Sequence, residues 1–102
     1  MIQHCVFVRF RPEIKAAAKQ VLWEELRGLL GVVPGFLELR TGPNALYEKL
    51  DHGFADGFIS VFDGPTALAA YQAHPSHRAT GAKLVQAAQD GIQGLFVFDL
   101  ET

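Results

Sequence analysis

Hydrophobic residues recur along this chain with two different periods, and these periods predict where its strands and helices lie. Residues 2–10 alternate between apolar and mixed positions, which is typical of a strand that buries one face. That face carries Ile2, His4, Val6, Val8 and Phe10. Over residues 13–30 the apolar positions are spaced by three and four, which predicts a helix that begins after Pro12 and ends at Gly31.

Glycine and proline divide the rest of the chain into shorter elements. Pro34-Gly35 and Gly42-Pro43 bound a second strand, and a loop over residues 42–53 follows it. Asp63-Gly64-Pro65 ends a third strand, and its proline suits the first turn of a helix. The elements predicted in this part are strands at residues 36–41, 54–62 and 92–100 and helices at residues 65–73 and 75–89.

The order of these elements, β-α-β-β-α-β, is that of a ferredoxin-like α+β fold. In that fold the helices cover one face of a four-stranded antiparallel sheet. With 102 residues the chain has the size of one domain. We therefore predict a single domain over residues 1–102.

The second face of the predicted sheet is also apolar, although no helix is left to cover it. It carries Cys5, Phe7, Ile59, Val61, Leu95 and Val97. An exposed apolar face of this kind marks an interface. We therefore expect a homodimer in which the sheets of two copies pack face to face around a two-fold axis.

The composition narrows the classes of partner and compartment. Hydrophobic residues make up 49% of the chain and charged residues 20%, which is typical of a folded domain and not of a disordered segment. The net charge of −2 provides no basic surface for nucleic acid or for an anionic membrane. No apolar stretch approaches the ~20 residues that span a bilayer. The single cysteine, Cys5, fits a reducing compartment, so we expect a cytoplasmic protein.

Three side chains that can handle protons lie close together around a predicted helix break. They belong to the segment Tyr71-Gln72-Ala73-His74-Pro75-Ser76-His77. His77 shares a helical stripe with Leu84, and Tyr71 lies one turn after Ala67, so both rings are expected to face the sheet. His74 precedes a proline, which disfavours helical geometry; its direction stays open, and capping of the next helix is one alternative.

Two further residues belong to the predicted site beneath the helices. His4 shares its strand face with Ile2 and Val6, and we expect this to be the face that the helices cover. Gly81 lies on the inward stripe of the last helix and leaves room where a larger side chain would fill the space.

Five short motifs carry a resemblance to a known family. They are Met1-Ile2-Gln3-His4, Val33-Pro34-Gly35, Gly42-Pro43-Asn44, Asp51-His52-Gly53-Phe54 and the segment from Tyr71 to His77. In this combination, which runs through the whole chain, the sequence resembles the stress-responsive A/B barrel domain family, also called Dabb. The resemblance implies a dimeric α+β barrel with an apolar pocket between the sheet and the helices.

The same resemblance implies diverse functions. Many bacterial members are uncharacterised, some plant members are stress-induced, and one plant branch cyclises linear polyketides by aldol chemistry. In that branch a tyrosine and a histidine at the positions of Tyr71 and His77 serve the reaction. Asp56 fills a strand position that is histidine in that cyclase, a difference that argues against a shared substrate. Asp56 is a candidate for substrate binding, as are His4, His74 and Gly81.

The chemistry of the pair can be stated from the side chains themselves. An aldol cyclisation needs a base that removes a proton next to a carbonyl and a donor that stabilises the resulting oxyanion. Histidine, with a usual pKa of about 6.5, can be that base, and tyrosine, at about 10, stays protonated and donates. We therefore predict His77 as base and Tyr71 as donor in a cofactor-independent cyclase, isomerase or lyase that acts on a carbonyl-bearing polyketide-like or aromatic substrate.

Other interpretations of the same residues remain open. The pocket can bind an apolar small molecule without converting it, or the chain can be a stress-protective dimer whose pocket is packed shut. A buried tyrosine and histidine can also simply hydrogen-bond to each other or to the backbone. A metal site built from His4, His74 and His77 is not expected, because the helix break disturbs their spacing and no thiolate supports them.

Overall fold

The computed structural model describes residues 1–102, and its elements follow the predicted βαββαβ order with two consecutive helices between the last two strands. The strands are β1 (Ile2–Val8), β2 (Phe36–Pro43), β3 (Asp56–Phe62) and β4 (Leu95–Glu101). The helices are α1 (Ala16–Arg27), α2 (Pro65–Ala73) and α3 (Pro75–Ala87), and a 3-10 turn, Gly91–Gly94, precedes β4. The predicted ferredoxin-like α+β fold is confirmed.

One antiparallel sheet contains the strands in the order β2-β3-β1-β4, so β1 lies between β3 and β4. His4 on β1 is directly opposite Ser60 on β3 and Asp99 on β4. Residues that oppose each other directly point to the same face of a sheet. His4, Val6 and Val8 are buried, so this is the face beneath the helices, as predicted.

Helix α1 is shorter than predicted at both ends. It begins at Ala16, and the residue before it, Lys15, forms no side-chain hydrogen bond that could extend the first turn. The last turn closes at Gly28, whose N–H donates to the carbonyl groups of Glu24 and Leu26. None of the three helices has the length or the apolar composition that crossing a bilayer requires.

Three strands are also shorter than the alternation of residues predicted. β1 ends at Val8, and Phe10 keeps only an isolated bridge to Ala88. Phe54 lies before β3, which begins at Asp56. β4 begins three residues later than predicted, because residues Gly91–Gly94 close a 3-10 turn first.

A single cluster of buried hydrophobic side chains fills the space between the sheet and the helices. Phe36 stacks on Phe62 with 5.0 Å between ring centroids, and Trp23 meets Phe58 edge-on at 5.5 Å. Burial of a large apolar side chain contributes about 1.5–3 kcal/mol, so these rings are a main source of stability in the layer that holds the site.

The uncovered face of the sheet is apolar, but the residues that β4 contributes differ from the prediction. Phe96 lies opposite Phe7 and Phe98 lies opposite Cys5, so the phenylalanines share the uncovered face. Leu95 and Val97 were expected there and lie on the helix face instead. Alternation along a strand separates two sets of side chains, whereas only the register against the neighbouring strand decides which set faces which side.

Candidate functional site

Tyr71 lies at the centre of the candidate site and is completely buried, with 0% of its surface exposed. Helix α2 places the phenol against aromatic rings from the sheet. The centroid of its ring lies 4.9 Å from that of Phe62 and 5.1 Å from that of Phe36. The ring is therefore fixed on two sides by packing, and only its hydroxyl is left to interact with polar groups.

His77, on α3, is the closest ring neighbour of Tyr71. The two ring centroids lie 4.2 Å apart with an angle of 46° between the ring planes. Nδ1 of His77 is buried and has no hydrogen-bond partner in the protein. The sequence analysis expected both rings to face the sheet, and the structure places the two rings in contact.

The protonation states of this pair suit a base and a donor. Partial burial lowers the pKa of His77, the carbonyl group of Gln72 opposes this shift, and the electrostatic effects of the nearby His4 and His74 side chains add to it. Burial raises the pKa of Tyr71 to about 12, with the Ser60 hydroxyl acting in the opposite direction. At neutral pH the imidazole is therefore neutral and the phenol keeps its proton.

Ser60 is a member of the site that the sequence analysis missed. It is 0% exposed on the helix face of β3, and its hydroxyl has no hydrogen-bond partner. The Tyr71 hydroxyl is unpartnered as well, so the two hydroxyls are neighbours without hydrogen-bond geometry between them. The available signal was a serine at the inward position of an otherwise apolar strand segment, between Ile59 and Val61.

His4 approaches the same space from β1 and carries a carboxylate partner. Its buried ring lies with its centroid 6.1 Å from that of Tyr71. Nδ1 of His4 donates a hydrogen bond to Oδ1 of Asp99 at 2.5 Å, which fixes the ring orientation. Asp99 was not predicted, because it becomes a neighbour of His4 only through the pairing of β1 with β4. We call His4, Ser60, Tyr71, His77 and Asp99 the polar cluster.

His74 and Gly81 lie at the edge of the polar cluster. His74 is the N-cap of α3, and its Nδ1 accepts a hydrogen bond from the Ser76 N–H at 3.1 Å. This is the capping alternative for His74 that the sequence left open. At Gly81 an added Cβ atom would meet no other atom within 4 Å, so the helix leaves free space one turn after His77.

Asp56 is not part of the polar cluster. It starts β3 four residues before Ser60, which places it about 13 Å away along the strand. Its carboxylate forms an ion pair with Lys19 of α1 at 2.9 Å. The prediction that Asp56 binds the same ligand as Tyr71 and His77 is not supported by this position.

A large cavity of the chain does not lie where the predicted pocket was expected. Its volume is about 690 Å³, and the uncovered sheet face forms much of its lining. Phe7, Gly57, Ile59, Phe96 and the segment from Leu50 to Phe54 supply part of this lining. Between sheet and helices the aromatic rings around Tyr71 fill the space instead, because their packing leaves the phenol fully enclosed.

The polar cluster opens toward solvent along one side. The Asp99 side chain is 41% exposed and His77 is partly exposed, although Tyr71 and Ser60 between the layers are not exposed. Val97, on the helix face of β4, is 53% exposed, so the helices leave that edge of the sheet uncovered. No group of three or more His, Cys, Asp or Glu side chains is placed to hold a metal ion.

Comparison with known proteins identifies the family. A profile of the stress-responsive A/B barrel domain matches residues 2–102. A dimeric ferredoxin-like protein of unknown function from Jannaschia sp. CCS1 is 33% identical, with a TM-score of 0.90 over 99% of this chain and 98% of that one. A search among proteins with curated descriptions finds no significant match.

Two plant proteins share the fold at lower sequence identity. An Arabidopsis thaliana protein is 20% identical with a TM-score of 0.86, over 100% of this chain and 95% of that one. A hydroxynitrile lyase from Passiflora edulis is 17% identical with a TM-score of 0.80, over 97% of this chain and 90% of that one. The family profile covers nearly every residue of the chain. The chain therefore belongs to the stress-responsive A/B barrel domain family.

Proposed function

We propose that the polar cluster binds a carbonyl-bearing apolar small molecule and catalyses proton transfer at the carbon next to the carbonyl. His77 is the base, Tyr71 is the donor to the carbonyl oxygen, and no cofactor takes part. The observation that carries the proposal is the contact between a neutral imidazole and a protonated, fully buried phenol, each with an unpartnered polar atom. The reaction class is that of a cyclase, isomerase or lyase.

The two side chains supply the two requirements of this chemistry. When His77 takes the proton, the electron pair of the broken C–H bond moves toward the carbonyl oxygen, which becomes an enolate oxygen that Tyr71 can stabilise. A positioned base typically contributes a factor of about 10²–10⁴ in rate, and one oxyanion donor about 10²–10³. The hydroxynitrile lyase of Passiflora edulis supports the proposal only in showing that this fold can hold a lyase.

His4 and Asp99 position the site in this proposal. The Asp99 carboxylate accepts a hydrogen bond from Nδ1 of His4, which fixes the orientation of the His4 ring beside Tyr71. Ligand enters between α3 and β4, where Asp99 and Val97 are exposed and where Gly81 leaves free space. Because Tyr71 is enclosed in this conformation, binding requires a shift of α3 relative to the sheet.

Deuterium exchange of a simple ketone tests the proposed base directly. In D2O the wild-type protein should catalyse deuteration of the methyl group of acetophenone, followed by NMR. His77→Gln and Tyr71→Phe should each lower the protein-dependent rate about 100-fold or more. His52→Gln is the matched control, because His52 is an exposed histidine of the loop before β3. Equal rates in wild type and His77→Gln would contradict the proposal.

Ligand binding without conversion is the second candidate function, and the unpartnered polar atoms of Ser60, Tyr71 and His77 favour it. A few well-placed polar groups can orient a bound ketone without converting it. Saturable binding of aryl ketones to the wild-type protein, with no exchange above background, would support this function in place of catalysis.

We also propose that the protein forms a homodimer through the uncovered face of the sheet. Phe7, Phe96 and Phe98 are exposed on that face, and exposed rings in such number are unusual for a monomer. The related protein from Jannaschia is described as dimeric. Face-to-face packing of two sheets would bury these rings and give the dimeric α+β barrel that the family resemblance implies.

A further inference from the structure

We propose that Ser60 is a second hydrogen-bond donor to the ligand oxygen that Tyr71 binds, and that this oxygen belongs to a neutral carbonyl group. The inference deepens the proposed function and rests on it, since it concerns the same site. It adds a residue with a defined role and narrows the class of ligand.

The Ser60 hydroxyl forms no hydrogen bond that would stabilise the fold. It lies in the middle of β3, directly opposite His4 and Leu39 in the neighbouring strands. The next inward positions on either side are the buried rings of Phe58 and Phe62. A hydroxyl buried among apolar groups costs free energy unless it is hydrogen-bonded. Alanine would avoid that cost at this position, so the serine calls for another explanation.

The unpartnered polar atoms of the chain are concentrated at this site. Five buried side-chain atoms have no hydrogen-bond partner, and Ser60 Oγ, Tyr71 Oη and His77 Nδ1 are three of them. The other two, in Arg9 and Glu25, belong to groups in which another atom is already hydrogen-bonded. Nδ1 of His4 donates to Asp99, so it is not an acceptor for either hydroxyl.

The chemistry of the neighbours selects a neutral carbonyl oxygen. Two O–H groups side by side are satisfied together by one oxygen atom with two lone pairs, which a carbonyl provides. A carboxylate is less suitable, because burial of a negative charge requires a compensating cation. No lysine or arginine forms an ion pair or hydrogen bond with any group of the polar cluster.

The two donors also suit the reaction. When His77 removes the proton from the adjacent carbon, the electron pair of the C–H bond becomes the new C=C bond and the carbonyl oxygen gains negative charge. His77 holds the proton, which can exchange with solvent there, until a proton is returned to carbon, so no oxidant or second substrate is needed. Ser60 and Tyr71 then hold the oxyanion with two hydrogen bonds that strengthen as its charge develops.

Infrared spectroscopy of a labelled ketone tests this role. The probe is acetophenone labelled with ¹³C at the carbonyl carbon, bound to the full chain, because each hydrogen bond lowers the carbonyl stretching frequency. Wild type should show a band at lower wavenumber than any single-donor variant. Ser60→Ala should move the band part of the way back and weaken binding about five- to ten-fold. Ser60→Cys, similar in size with a weaker donor, should lie between the two.

The controls separate this inference from the proposed function. Ser76→Ala removes an exposed serine hydroxyl from α3 and should change neither the band nor the affinity. If Ser60→Ala leaves both unchanged while Tyr71→Phe shifts the band, the role of Ser60 is overturned and the proposed function stands. If neither acetophenone nor longer aryl ketones bind the wild-type protein, both proposals fail.

Discussion

At the scale of single residues, the environment of Tyr71 and His77 gives two ordinary side chains complementary roles. Burial moves the pKa of Tyr71 up to about 12 and that of His77 down from 6.5. Both shifts favour the uncharged form, since an enclosed site disfavours charge of either sign. A protonated donor and an unprotonated base therefore coexist over the whole neutral pH range.

The lowered pKa of His77 makes stability depend on pH. Below about pH 6.5 the unfolded chain binds a proton at this histidine more readily than the folded chain does. The free energy of unfolding should therefore fall as the pH drops from 7.5 to 5.5. In His77→Gln the fall should be smaller, as measured by urea denaturation at both pH values. If the free energy of unfolding of the variant falls as much as that of the wild type, titratable groups other than His77 cause the pH dependence.

At the scale of elements, proline and glycine explain most of the helix boundaries near the site. Pro65 and Pro75 each open a helix, and the break between α2 and α3 lets Tyr71 and His77 approach from two different helices. Gly81, by contrast, lies inside α3, where neither a positive φ nor a close neighbour requires glycine. The backbone and packing of this chain would therefore accept a larger residue at position 81.

Alanine substitutions at two glycines should have opposite effects on stability. Gly81→Ala should raise the free energy of unfolding by about 0.5–1 kcal/mol, because helical alanine is favoured over glycine. Gly57→Ala should lower it by about 1–3 kcal/mol. In β3 the added Cβ would lie 2.7 Å from Cδ1 of Phe7 and 2.9 Å from the Val6 carbonyl oxygen. Urea denaturation of both variants measures the difference, and equal destabilisation by the two would refute the argument for Gly81.

At the scale of the whole molecule, the two apolar faces of the sheet have different roles. The helices cover one face and enclose the polar cluster, while the other face presents exposed phenylalanines and the cavity of about 690 Å³. The proposed dimer would cover the second face without contributing to the first. Assembly and the polar cluster can therefore be altered separately by substitution.

A charge placed on the uncovered face should separate the proposed dimer. Phe98→Asp introduces a carboxylate at a position that is 53% exposed in the single chain and that the proposed dimer would bury. Light scattering after size exclusion should give a dimer mass for wild type and a monomer mass for the variant. Val21→Asp is the matched control, because Val21 is 59% exposed on α1, away from that face. A dimeric Phe98→Asp would point to a different interface.

Much of the fold could be predicted because its signals are local. Alternating residues in β1, the three-and-four spacing in α1 and the prolines that begin α2 and α3 each act over a few neighbouring positions. Element ends were less accurate, as at β4, because the 3-10 turn at Gly91–Gly94 depends on contacts with distant parts of the chain. The inward direction of His77 followed from helical spacing alone.

By itself, the sequence determined the order of elements, the family and the inward positions of His4, Tyr71 and His77. The tertiary structure alone decided that Ser60 and Asp99 join them and that Asp56 does not. It also decided which face of β4 is uncovered and that a cavity of about 690 Å³ lies against the uncovered sheet face. The physical reason is that strand register and layer packing bring together residues far apart in the chain, whereas periodicity reports only the side to which each residue points within its own element.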